Sequence, residues 1–186
     1  GLSTDLVAAM SQVPRGSARG GLLTVPVVVH VVWNTGAENI PDASINQMVA
    51  QLNLDYQQQN TDLNQVRPAF TGVVGNVGVA FCLASVDPNG NATTGITRTQ
   101  TTETWFDPDT ETDDMKSPPK GISAWDPDSY LNIWVCDITS GATGGTVTVG
   151  YAYLPTGGVV GSNIDGFVID YDYGFGTGER TATHKI

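Results

Sequence analysis

The stretch LLTVPVVVHVVW, residues 22–33, decides the fold. Its alternating sets are both apolar: Val25, Val27, Val29, Val31 and Trp33 share one face, and Val28, His30 and Val32 share the other. A strand with two apolar faces belongs near the centre of a sheet that is covered on both sides. His30 lies among valines and far in sequence from any partner motif. It reads as a hydrogen-bonded core histidine rather than a metal ligand.

On the N-terminal side of this strand, residues 1–21 read as a loose arm or pro-segment remnant, and residues 22–186 as the folded domain. QVPRGSARG, residues 12–20, has no apolar period and is rich in Pro, Gly, Ser and Arg, as an exposed linker is. On the C-terminal side a turn leads to a helix with Asp42 as its expected N-cap. Ile45, Met48, Val49, Leu52 and Tyr56 follow the 3,4 spacing of one buried face, as a helix backing the sheet requires.

Further strands are expected over residues 77–85, 130–138, 150–155 and 165–173, with residues 95–101 a short strand or extended loop. GYAYLP, residues 150–155, is short and ends in proline, as an edge strand should. Tyr151 and Tyr153 should face one side by the period of two. Asp170 and Asp172 would likewise share a strand face. DPNGN, residues 87–91, is a turn, and Asn91-Ala92-Thr93 has the pattern of a glycosylation sequon.

Length and charge narrow the function. A chain of 186 residues is one domain that buries roughly two-thirds of its unfolded surface. Eight basic and 19 acidic residues give a net charge of −11, which argues against nucleic acid and anionic membranes as partners. No stretch reaches the ~20 apolar residues of a membrane-spanning helix, and no signal-peptide pattern opens the sequence. Residues 102–120 carry Asp107, Asp109, Glu111, Asp113 and Asp114. That spacing mimics part of a calcium loop, so calcium is one possible occupant, but it lacks the glycine bend and closing glutamate. A solvated acidic loop is the expected alternative. Cys82 and Cys136 lack metal-site spacing.

The final residues, GERTATHKI at 178–186, resemble the start of the zinc-binding helix of the pappalysin family of metzincin metallopeptidases. The family pattern runs G-x-R-T-x-x-H-E-x-x-H-x-x-G-x-x-H. VPVVVHVVW, YLNIWVC, GYAYLP, DGFVIDY and RTATH occur in the family's order, and together they cover residues 24–184. The resemblance implies an α+β fold: a metzincin-like upper subdomain, with a twisted mixed five-stranded sheet, a backing helix and the start of the active-site helix. It also implies secretion, a zinc cofactor and a peptide or protein substrate. Gly150, Tyr151, Ala152, Tyr153 and Leu154 match the family's substrate-binding edge strand, and the two tyrosines read equally as cover for the sheet.

His184 matches the first zinc ligand, and Arg180 and Thr181 match the pair before it. Lys185 stands where the family has its glutamate, the general base for the attacking water. A catalytic zinc takes about three protein ligands, and this sequence supplies the first only. The expectation is therefore an endopeptidase lineage with no activity in the sequence as written. The alternative is a non-catalytic binding or self-assembling protein, associating through a sheet face that the rest of the helix would cover. In a metzincin sheet one strand separates those carrying Cys82 and Cys136. Two strand spacings of ~4.8 Å exceed the ~7 Å reach of a disulfide, so two buried thiols are expected.

Overall fold

A computed structural model describes residues 21–143 and 147–175. The strand that opens the sequence argument is β1, Leu23–Trp33. It is followed by α1 (Asp42–Tyr56), β2 (Val79–Leu83), β3 (Ile96–Gln100), β4 (Leu131–Cys136), β5 (Gly150–Ala152), β6 (Phe167–Asp170) and α2 (Tyr171–Phe175). The sheet runs β2-β1-β4-β6-β5, with β3 also paired to β1. Among the described strands β5 alone is antiparallel to its neighbour.

The sheet therefore has six strands where five were expected, because β2 and β3 share one edge of β1. β2 pairs with the first part of β1, from Leu23 to Val27, and β3 with the second, from Val29 to Trp33. Ala84 N–H donates to Val27 O and Val29 N–H donates to Gly95 O, so the chain leaves and rejoins the same line. Residues 85–94 form the excursion between them. At its neck Gly95 has φ +72°, and a Cβ there would stand 2.6 Å from Ala84 N. Only glycine closes the neck without a clash.

The two faces of the sheet are covered differently. On one face Val27, Val29, Val31, Ile133, Val135 and Ile169 pack against Ile45, Met48 and Val49 of α1. On the other, Val32, Trp134, Cys136 and Val168 pack against Phe106, Met115 and Ile138, which the loops supply. Asn132 is buried on this second face and satisfies an irregular segment of backbone. Its Oδ1 accepts Trp125 N–H at 2.8 Å and its Nδ2 donates to Trp125 O at 2.9 Å.

His30 is also on this face and fully buried, as the sequence indicates. Its Nε2 lies 2.9 Å from Asn132 Oδ1 and its Nδ1 lies 2.7 Å from Thr97 Oγ1. Because an amide oxygen only accepts, Nε2 carries the proton and Nδ1 accepts from Thr97. Burial pushes the imidazole pKa down to about 4, against a smaller raising effect from Asn132.

Three local expectations change. Pro41, not Asp42, occupies the N-cap of α1, and the Asp42 carboxylate pairs with Arg98 instead. Cys136 is buried but Cys82 is exposed, and both are free thiols on strands separated by β1. β6 ends at Asp170 and the chain turns helical at Tyr171, so Asp170 and Asp172 do not share a strand face. Asp170 instead accepts the N–H groups of Ile138, Asp172 and Tyr173, which holds the strand-to-helix junction together.

Candidate functional site

Among the described residues β5 is the outermost strand on its side of the sheet and its outer edge is unpaired, and this edge is the candidate site. Asp170 N–H donates to Val149 O, and Tyr151 sits opposite Val168. In an antiparallel pair, hydrogen-bonded and non-hydrogen-bonded positions alternate. Val149 and Tyr151 therefore direct their main-chain groups at β6, while Gly150 and Ala152 direct theirs outward. These two residues offer N–H and C=O groups to an extended chain laid alongside. Gly150 has no side chain and Ala152 presents only a methyl group on the α1 side of the sheet, so nothing of β5 rises between that side and the edge.

The opposite side of β5 is anchored. Tyr151 and Tyr153 point to the same side, as the period of two requires. Tyr151 Oη donates to Thr112 O at 2.7 Å, and Tyr153 Oη donates to Asp113 Oδ2 at 2.7 Å. The hydrogen bond to Asp113 raises the Tyr153 pKa to about 12, and burial pushes Tyr151 up as well. Both phenols therefore remain protonated donors at neutral pH.

The loop they reach is the acidic segment, and it is not the solvated loop expected. Met115 and Lys116 are buried within it. Lys116 Nζ is 2.9 Å from Asp113 Oδ1. Lys120 Nζ is 2.9 Å from Glu111 Oε1 and 2.7 Å from Asp114 Oδ2, and the Lys120 hydrogen bond holds the Glu111 pKa below its ordinary value. Two ammonium groups thus stand among the carboxylates considered for calcium. Among the described residues, no group of three or more His, Cys, Asp or Glu side chains is placed to hold a metal ion.

Of the residues read from the sequence, Gly150, Tyr151, Ala152, Tyr153 and Leu154 come together at the sheet edge. Leu154 is 66% exposed beyond the last paired residue. His184, Lys185, Arg180 and Thr181 lie outside the described residues. The chain leading to them leaves from β6, the strand next to β5, and its first turn packs Tyr171 and Phe175 against the core on the α1 side. Asn132 and Lys116 escaped the sequence reading. The signal for each was a polar residue where its surroundings disfavour it: an amide inside LNIWVC, and a cation inside an acidic run.

A sheet of parallel strands closed by one antiparallel edge strand, with its helices on the side facing away from the loops, matches solved structures over most of the chain. The fold is metzincin-like. A promirolysin mutant from Tannerella forsythia superposes with a TM-score of 0.75 at 38% identity, covering 89% of this chain and 50% of that chain. Mature mirolysin from Tannerella forsythia, in complex with a cleaved peptide, gives 0.75 at 38% identity, with 89% and 57% covered. Mirolysin in complex with compound 9 gives 0.77 at 38% identity, with 88% and 59% covered. Mirolysin is a metallopeptidase, and the scaffold shared with it is that of a zinc peptidase. The present chain spans 50% to 59% of the length of these neighbours. No protein-family model and no curated protein matches it.

Proposed function

We propose that this chain is the upper part of a secreted, pappalysin-type zinc endopeptidase scaffold, and that it takes an extended peptide by strand addition to β5. The open main-chain groups of Gly150 and Ala152 carry this reading. Strand addition draws its affinity from such groups and its selectivity from the side chains around them. One neighbour was solved with a cleaved peptide, which is consistent with a peptide as ligand.

The described residues alone do not make a zinc site, so the hydrolytic step rests with the segment carrying His184 and Lys185. A lysine where the resemblance places the general base is a poor proton acceptor at neutral pH. The chain is therefore expected to bind peptide without cleaving it. A fluorescein-labelled oxidised insulin B chain serves as the probe, with anisotropy for binding and mass spectrometry for integrity in added zinc. Ala152→Pro removes one outward N–H and leaves the pairing with β6 intact. It should weaken binding at least ten-fold with the melting temperature nearly unchanged. Equal binding by wild type and Ala152→Pro would falsify the edge-strand reading, and cleavage of the probe would refute the inactivity.

A second reading, self-association through the sheet, has its own observation. Phe167 on β6 is 38% exposed on the α1 side, beside the small side chains of β5. Light scattering across a concentration series tests it: a mass that stays at 19.6 kDa rules self-association out.

A further inference from the structure

β5 pairs with the sheet over three residues. A strand so short and so close to the end of the sheet is weakly held by its ladder alone. What holds it otherwise is gathered around one side chain. Lys116 closes the 3-10 turn Asp114–Lys116, and its side chain is 1% exposed. Its Nζ donates to Ile164 O at 2.9 Å, in the connection just before β6. It also lies 2.9 Å from Asp113 Oδ1. The same ammonium stands 4.9 Å from the ring centre of Tyr153, 5.3 Å from that of Trp134 and 6.0 Å from that of Tyr151. Asp113 is divided between partners: one oxygen faces Lys116, the other accepts the Tyr153 hydroxyl.

A buried cation is costly unless it is paired and hydrogen-bonded, and an ammonium over aromatic faces gains further attraction. Here those partners come from four segments: the acidic loop, β4, β5 and the connection to β6. The charge therefore has one low-energy position, and β5 shares it through Tyr151 and through Tyr153, the residue that follows the strand. We infer that Lys116 is a positioning residue for the peptide-binding edge: its buried ammonium fixes β5 at the height that leaves Gly150 and Ala152 open to an incoming strand. Lys116 does not touch the peptide. It acts through Tyr151, Tyr153 and Asp113. This inference rests on the reading of β5 as the peptide edge.

The test uses the full chain and the labelled insulin B chain. Hydrogen exchange is followed at the amides of Tyr151, Val168 and Asp170, which face the β5–β6 ladder, alongside amides of β1. Lys116→Met should speed exchange at those three at least ten-fold more than in β1 and weaken probe binding about ten-fold. Lys116→Arg, which keeps the charge and the ring contacts, should recover most of both. Should Lys116→Met fail to fold, Tyr153→Phe becomes the deciding variant. It removes one partly exposed hydroxyl and should speed exchange in β5 and weaken binding about three-fold.

Unchanged exchange and affinity in either soluble variant overturns the inference. So does equal loosening of β5 and β1, which is the mark of a merely structural residue. Wild type that does not bind the probe overturns the peptide-edge reading and, with it, the binding half of the inference. Exchange at Tyr151 then still shows whether Lys116 holds the strand.

Discussion

The two faces of this sheet bury their apolar side chains by opposite means. The α1 side is covered by a regular helix whose own hydrogen bonds close within it, so valine, isoleucine and methionine suffice there. The other side is covered by irregular chain, whose N–H and C=O groups need partners wherever they are buried. Asn132, Trp134 Nε1 and Lys116 supply them, the indole by donating to Ile122 O and the ammonium to Ile164 O, while His30 holds the Asn132 amide in place. One face depends on volume and the other on partners. A polar side chain lost from the second should cost more than an apolar one of similar size lost from the first.

The sharpest test of that difference is Asn132→Ala. It strips partners from Trp125 N–H, Trp125 O and His30 at once. The expected loss is roughly 3–5 kcal/mol in urea-induced unfolding, because each buried group left unsatisfied costs about 1–3 kcal/mol. A loss below about 1 kcal/mol would show that water replaces the amide and that the loop face is not specified by its partners.

Acid probes the same face next. Its folded pKa of about 4 lies below the ordinary 6.5, so His30 takes up a proton more readily in the unfolded chain. The stability it contributes is whole above pH 6.5 and is lost as pH falls towards 4, in total about 3 kcal/mol. In NMR titration, one of the two histidine ring signals, assigned with His30→Gln, should stay still until pH nears 4. A midpoint near 6.5 would contradict the buried, neutral ring.

On the helix face Val29→Ala should cost about 2 kcal/mol, the transfer of two methyl groups plus a small cavity. If it costs as much as Asn132→Ala, the contrast between the faces disappears. The smallest effect belongs to the exposed pair of Arg98 and Asp42, where Arg98→Met should change stability by no more than about 0.5 kcal/mol.

The same contrast explains what the sequence made legible. The centre of the sheet and α1 could be read because apolar period alone specifies them: Val27, Val29 and Val31 meet Ile45, Met48 and Val49 as their spacing says. The edge strand was legible from GYAYLP, with its proline and its resemblance. Which of its residues are open was not, since that depends on the partner strand, through Asp170 and Val149. The shared edge of β2 and β3 was hidden for the same reason: two short strands in sequence say nothing about pairing with one line. The acidic loop was misread because composition cannot show that Lys116 turns inward and draws the loop onto the sheet with it. Asp172 was misplaced because Asp170 Oδ1, which accepts the N–H groups of Asp172 and Tyr173, favours a turn where the run FVIDY suggests a longer strand.

The excursion of residues 85–94 has a consequence for handling the molecule. Its two ends meet within one strand's hydrogen-bonding line, and its tip is pinned locally, with the Asp87 carboxylate accepting from Asn89 and Asn91 N–H. Extra length added at such a tip leaves the stems where they are, and the entropy of closing a longer loop grows only slowly, about 0.6 kcal/mol for each doubling. Asn89-Gly90 is thus a natural port for an inserted epitope, fluorophore tag or small reporter domain. It lies on the β2/β3 side of the sheet, with three strands between it and β5, so a label there stands clear of the peptide edge.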